Sequence, residues 1–181
     1  MERNLMVAGF GGQGVMTLGK FLAEAACDST DKNVTFFPSY GAEQRGGTAN
    51  CYVVISDGDI GAPLGDHMDD LIVMNDPSLS KFLYKLVSGG TLFINSSIVK
   101  SAVSREDVKV VRVPVTEMAL DMGSAKVLNI IMLGAYVGYT QVVPEDVVWQ
   151  TIEHKLGRKP KLLPLNKRAF EAGLDIGRAA R

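Results

Sequence analysis

The sequence predicts a three-layer α/β/α domain on a mainly parallel sheet, with mixed pairing allowed. Three observations carry this. Short apolar runs bounded by glycine, proline or polar residues recur along the first two thirds of the chain. Segments of helical period fall between them, and the last third turns helical throughout. At 181 residues the chain suits one domain, residues 1–181, large enough to bury a core without staples.

The elements follow in order. "NLMVAGF" (4–10) is an apolar run ending in glycine and reads as a buried strand. Val15, Leu18, Phe21, Leu22, Ala25 and Ala26 then recur at helical spacing, predicting a helix from about Gln13 to Cys27. "NVTFF" (33–37), "ANCYVVIS" (49–56) and "DLIVMN" (70–75) are the next strands. "PSLSKFLYKLVSGG" reads as a helix, with Pro77 near its start and Gly89 after its end. "GTLFIN" (90–95) and "VKVVRVP" (108–114) complete the strands, and "AKVLNIIMLGAYVGYT" and "PEDVVWQTIEHKLG" are helices. The second of these has Pro144 at its entry, acids in its first turn, Lys155 in its last and Gly157 as its stop.

Composition narrows the function. The 46% hydrophobic and 22% charged residues are those of an ordinary globular protein, and a net charge of −1 exerts no global pull toward nucleic acid. No apolar run reaches the roughly 20 residues a membrane helix needs, and "MERNLMVAGF" does not read as a signal peptide. The cytoplasm is expected, with Cys27 and Cys51 reduced. Two cysteines exclude four-cysteine ligation of an iron–sulfur cluster within the chain.

"GFGGQGVMTLG" (9–19) places Gly9, Gly11 and Gly14 in a G-x-G-x-x-G pattern between a strand and a helix, a Rossmann-like start. Glycines permit the tight turn, and free N–H groups at a helix start attract an anion. A dinucleotide site also needs an acid at the end of the second strand to hold the ribose. Here "NVTFF" runs into Pro38, Ser39 and Tyr40, with Asp31 before it and Glu43 well after it. A tight structural turn remains the plain alternative. A free-standing Rossmann-type oxidoreductase binding NAD or FAD is the other.

"FFPSYGAEQRGGTANCYVVIS" (36–56) is the second feature. If the first two strands are parallel, the loop after each leaves the same sheet edge, so Tyr40, Glu43, Gln44, Arg45, Gly46 and Gly47 converge on the Gly11–Gly14 turn. Arg45 suits a carboxylate or phosphate, with Glu43 to orient it. The bland reading is a surface ion pair worth at most about 1 kcal/mol. Two glycine-framed polar loops at one edge favour a ligand or subunit contact.

On these loops the chain resembles the gamma subunit, or gamma domain, of 2-oxoacid:ferredoxin oxidoreductases. The likeness rests on "GFGGQGVMTLGKFLAEAA" and "YGAEQRGGTANCYVVIS", and extends through "DLIVMNDPSL" and "NIIMLGAYVGYTQVVPEDVVWQTIEHKL" to "LNKRAFEAG", nearly the whole chain. The resemblance implies a subunit of a complex that decarboxylates a 2-oxoacid with coenzyme A to an acyl-CoA and reduces ferredoxin. 2-Oxoglutarate or a general 2-oxoacid is the favoured substrate. It implies thiamine diphosphate and iron–sulfur clusters on other subunits, none on this chain alone. It also implies alpha and beta partners, with a delta subunit in some assemblies, and contact with ferredoxin through the complex. Gly11, Gly12, Gln13 and Gly14, with Tyr40, Glu43, Arg45, Gly46 and Gly47, are expected at the cofactor-binding or subunit-interface edge near the coenzyme A channel. No catalytic residue and no metal site is expected, and the isolated chain is expected to self-associate.

Other motifs carry less. "GDHMDD" (65–70) gathers His67 with Asp66, Asp69 and Asp70, but adjacent acids on an extended chain point different ways, and a solvated loop is expected. His154 lies beside the Val148–Ile152–Leu156 stripe, at the surface. Both cysteines read as packed thiols. Gly134 and Gly138 form a G-x-x-x-G expected to pack on the sheet or on another subunit, and Asn129 on that helix reads as an interface, capping or surface residue. "KLGRKPKLLPLNKR" (155–168) holds six basic residues and no acid. It reads as a solvated loop before the last helix, or a patch for an acidic partner or coenzyme A phosphates. Without interleaved aromatics it does not read as an RNA binder.

Overall fold

The computed structural model describes residues 1–40 and 47–181. Its strands are β1 (Glu2–Phe10), β2 (Asn33–Tyr40), β3 (Thr48–Ser56), β4 (Met68–Val73), β5 (Leu86–Asn95) and β6 (Lys109–Val113). Its α-helices are α1 (Val15–Ser29), α2 (Asp76–Phe82), α3 (Val115–Asp121), α4 (Leu128–Thr140), α5 (Glu145–Leu156) and α6 (Leu163–Ala180). They build a three-layer α/β fold around a six-stranded sheet of order β2-β3-β1-β4-β5-β6.

β1, β4, β5 and β6 are parallel neighbours, while β3 runs antiparallel between β1 and β2. β2 therefore has the same sense as β1 without touching it. The sheet is mixed, with the parallel pairings in the majority. The register Gly9↔Ala49↔Tyr40 brings the carboxyl ends of β1 and β2 to one edge.

Side chains alternate between two cores, as a pleated strand requires. Leu5 and Val7, Cys51, Val53 and Ile55, Ile72, Phe93, and Val111 and Val113 face the larger core under α1, α3, α4, α5 and α6. Met6, Ala8, Leu71, Val73, Leu92 and Ile94 face the smaller one, closed by α2, the turn after it and Val99. α1 lies on β2 and β3, where Gly19 lets it approach: a Cβ there would sit 2.4 Å from Cys51 Sγ.

Three expectations are corrected. The helix read from "PSLSKFLYKLVSGG" stops at Phe82; Leu83–Lys85 is a 3-10 turn and Leu86 already begins β5. The reason is pairing: Leu86 lies opposite Met68, ahead of an irregularity at Met68/Asp70, and is buried in the smaller core. The basic stretch is not one loop, because α6 begins at Leu163 and buries Asn166. Finally, Gly134 and Gly138 face α6 rather than the sheet. They meet a second G-x-x-x-G on α6, Gly173 and Gly177.

That last contact is unusually close. A Cβ on Gly134 would lie 2.3 Å from the Phe170 carbonyl oxygen, and one on Gly173 2.0 Å from that of Ile131. The obstructing atoms are backbone, so neither helix yields without shifting whole. Gly173→Ala is expected to destabilise the chain by about 3 kcal/mol, the upper end of overpacking costs. Gly61→Ala, where a Cβ meets nothing within 4 Å, is expected to stay within about 0.5 kcal/mol of wild type. Urea denaturation of both variants checks the contrast.

Candidate functional site

The carboxyl edge of the sheet is where β1 turns into α1. Gly12 (φ 91°) and Gly14 (φ 72°) hold left-handed conformations, which glycine adopts without strain. Gly11 and Gly12 have open space where a Cβ would stand. The Gly11 N–H donates to the Gly47 carbonyl at 3.4 Å, joining the two glycine-framed loops. Tyr40 stands at the same edge, 76% exposed, with the partly exposed Phe10 nearby on β1. Glu43, Gln44, Arg45 and Gly46 lie outside the described residues.

Gln13 does not face outward. Its Oε1 accepts from the Phe10 N–H at 2.7 Å and from Asn75 Nδ2 at 3.3 Å, and its Nε2 donates to the Met74 carbonyl at 3.0 Å. That carbonyl also accepts from Asn95 Nδ2, which donates as well to Thr116 Oγ1 in the first turn of α3. Asn75 in turn caps α2 through the Ser78 N–H. On the other side, Asn129 Nδ2 donates to the Gly14 carbonyl at 3.4 Å, tying α4 to the start of α1.

The placement of the helices makes this edge a crossing point. α1 leaves β1 toward the larger core and α2 leaves β4 toward the smaller one. In open α/β sheets a nucleotide enters the crevice between two such strands. Here the half-buried Gln13 carboxamide bridges the ends of β1 and β4. A Cβ on Gly9 would lie 2.7 Å from Gln13 Oε1 and 2.9 Å from Met74 Cβ, so Gly9 serves the plug rather than a pyrophosphate.

The residues of "GDHMDD" separate. Asp66 and His67 are exposed, Asp69 accepts from the Asn4 N–H at 2.8 Å, and Asp70 is wholly buried on β4. The solvated-loop expectation therefore fails for Asp69 and Asp70. Among the described residues no group of three His, Cys, Asp or Glu side chains is placed to hold a metal.

Asp70 was missed as a structural centre. Arg3 Nε and Nη2 donate to its two oxygens at 2.5 and 2.9 Å, and the Tyr136 hydroxyl donates at 2.9 Å. Burial pushes the Asp70 carboxyl above its usual range, while Arg3 and Tyr136 draw it back. Burial also holds the Tyr136 phenol well above its ordinary value, so it remains a donor. Removing one member of such a buried pair costs about 3–5 kcal/mol, because the other charge is left unpaired. The signal lay in an acid opening the apolar run "DLIVMN".

Fold and edge together define an α/β chain whose first strand turns into its first helix through a glycine turn held by Gln13. Residues 4–176 match the family of pyruvate ferredoxin/flavodoxin oxidoreductases, and the chain belongs to that family. Ketoisovalerate oxidoreductase subunit VorA of Methanothermobacter thermautotrophicus is 37% identical over 179 residues, covering 98% of this chain. The chain spans 37% of VorA's own length. The gamma subunit of the keto/oxoacid ferredoxin oxidoreductase of Geobacter sulfurreducens superposes with a TM-score of 0.87 at 30% identity, covering 99% of this chain and 98% of that one. The 2-oxoglutarate:ferredoxin oxidoreductase of Magnetococcus marinus, solved with 2-oxoglutarate, coenzyme A and succinyl-CoA, gives 0.90 at 25% identity, over 98% of this chain and 31% of its own. The chain thus has the form of the family's gamma subunit.

The two thiols differ sharply. Cys27 is exposed at the end of α1, and Cys51 is buried with burial pushing its pKa up to about 12. A thiolate-selective disulfide reagent at pH 8 is expected to titrate one thiol in the folded chain and both in guanidinium. Fast reaction of two thiols in the folded state would contradict the packing of Cys51 beneath Gly19.

Proposed function

We propose that this chain is the gamma subunit, or gamma domain, of a multi-subunit 2-oxoacid:ferredoxin oxidoreductase. Such a complex converts a 2-oxoacid and coenzyme A to acyl-CoA and carbon dioxide, with two electrons passing to ferredoxin. The substrate is a 2-oxoacid of the 2-oxoglutarate or ketoisovalerate type. Residues 1–181 act as one cytoplasmic domain, and no helix among the described residues is long and apolar enough to cross a membrane.

The observation that carries this reading is the joined pair of glycine loops, Gly11 to Gly47, with Tyr40 exposed beside them on a fold shared with gamma subunits. We assign Gly11, Gly12 and Gly14, with Tyr40, Glu43, Arg45, Gly46 and Gly47, to an edge that docks on the alpha and beta chains near the coenzyme A route. Side-chain-free glycines let a partner backbone or a pantetheine chain approach closely. Sealed against its partners, the edge excludes water from the reacting centre. Thiamine diphosphate and iron–sulfur clusters, held by the partner chains, supply the decarboxylation and electron-transfer chemistry. Two cysteines on opposite sides of burial cannot supply a four-thiolate set. Without its partners the same edge leaves Tyr40 and Phe10 in water, and self-association follows. A free-standing NAD- or FAD-dependent enzyme draws no support from the relatives, and Gln13 bridges the β1 and β4 ends where such a cofactor would enter.

Affinity purification of the tagged chain from its native host is expected to recover larger chains that bring iron–sulfur absorbance and coenzyme A-dependent 2-oxoacid oxidation. Recovery of the chain alone, with bound NAD or FAD, would replace this reading by the other. In the assembled complex Arg45→Ala is expected to slow acyl-CoA formation about tenfold, the loss of one charge-assisted hydrogen bond. Wild-type assembly at a wild-type rate would remove Arg45 from the edge's function.

A further inference from the structure

The geometry points to Gln13 as the positioning residue of the glycine edge. We propose that its carboxamide fixes the Gly11–Gly14 turn in the shape offered to the partner chains, and so sets how well the complex takes up coenzyme A. The effect on catalysis rests on the gamma-subunit reading; the effect on the turn rests on this chain alone.

Three features separate Gln13 from a residue that greets a ligand. First, both ends of its amide are already engaged, with two donors on Oε1 and the Met74 carbonyl on Nε2. Only the second Nε2 hydrogen is left without a partner among the described residues. Second, the bonds run both ways across the turn: Gln13 N–H donates to the Phe10 carbonyl at 3.2 Å, and the Phe10 N–H donates back to Gln13 Oε1. The segment between them, which holds Gly11 and Gly12, is closed by a backbone bond and a side-chain bond together. Third, the anchor is deep. The Met74 carbonyl that receives Gln13 also receives Asn95, a fully buried residue bonded onward to Thr116. One carbonyl thus ties the turn to β4, to β5 and to the start of α3.

The chemistry demands an amide. The oxygen faces two N–H donors and the nitrogen faces a carbonyl acceptor, so one group must accept at one end and donate at the other. An ionised glutamate satisfies the first end and repels the Met74 carbonyl at the second. A protonated glutamic acid satisfies both. The Met74 carbonyl therefore favours the protonated carboxyl, while the Phe10 and Asn75 N–H donors are met by either form. A Gln13→Glu chain keeps all three bonds when protonated and loses the Met74 anchor as the carboxyl ionises.

Hydrogen–deuterium exchange on the full chain tests the turn. Gln13→Ala is expected to raise exchange of the hydrogen-bonded amides of Phe10, Gly11 and Gln13 about tenfold, one lost net hydrogen bond, while the α4–α6 core keeps its protection. In Gln13→Glu, after correction for intrinsic rates, the same amides are expected to be better protected at pH 4 than at pH 8, where the Met74 anchor is lost. Wild-type exchange in Gln13→Ala, or a pH-independent Gln13→Glu, would overturn the proposal. In the native complex Gln13→Ala is expected to raise the KM for coenzyme A about tenfold with kcat within about twofold. A fall in kcat with KM unchanged would mean loss of active complex only, and would reject the catalytic half. If the wild-type complex oxidises no 2-oxoacid with coenzyme A, the gamma-subunit reading fails, and the exchange experiment still decides the role of Gln13.

Discussion

The contact between α4 and α6 is the constraint on which most of the molecule depends. α4 is apolar nearly all round, with Ile130 to Val137 buried, so it must lie inside the domain and be covered on every side. Four glycines let α6 cover it at backbone distance, each helix fitting its carbonyls against the other's missing side chains. With α6 as lid, α4 is pressed on the sheet, where Tyr136 and Tyr139 meet Phe93 edge-on at 5.3 and 5.5 Å. Its position then fixes two polar contacts at a distance. Asn129, at its first turn, reaches the Gly14 carbonyl, and Tyr136, two turns later, reaches Asp70.

Those two contacts lie at opposite ends of the β1–β4 pair. At the amino end Arg3 of β1 grips Asp70 of β4; at the carboxyl end Gln13, just past β1, grips Met74, just past β4. The central strand pair is clamped at both ends by side chains as well as by its ladder. The clamps differ in kind. The ionic one is buried, where desolvation offsets much of the attraction and the main consequence is intolerance of losing either partner. The amide clamp is neutral and part-exposed, and its worth lies in the shape it imposes on a turn that glycine alone would leave loose.

Much of this was legible in the sequence. All six strands, α1, α4 and α5 follow from periodicity, glycine stops and Pro144, because each burial face is wide enough to leave a pattern. The convergence of the two glycine loops was legible as well, since it needs only the shared sense of β1 and β2. The reversal of β3 was not: an alternating or apolar run carries no direction, and a loop of modest length fits a hairpin as well as a crossover's start. α3 is two turns after Pro114, too short for a period to show. Gly173 and Gly177 sit in an amphipathic helix, so their role becomes visible only beside Gly134 and Gly138. Arg3, Asp70 and Tyr136 are separated by 67 and 66 positions, and no local rule joins them.

The glycine turn shows why a motif and its function part company. Gly9, Gly11 and Gly14 meet the spacing of a dinucleotide fingerprint, and each has a physical reason to be glycine. The reasons are different ones. In the nucleotide-binding turn the glycines clear space for a pyrophosphate at the helix start. Here Gly9 clears space for Gln13, Gly14 clears space for Asn129, and only Gly11 and Gly12 open outward. The same small residue that admits a phosphate elsewhere admits two of the protein's own amides. Those amides tie the turn to β4 and α4, and what faces outward is a short, side-chain-free ridge at Gly11 and Gly12, joined to a second loop through Gly47. A ridge of that kind leaves room for an approaching backbone or thin chain, which is what the proposed subunit seam requires.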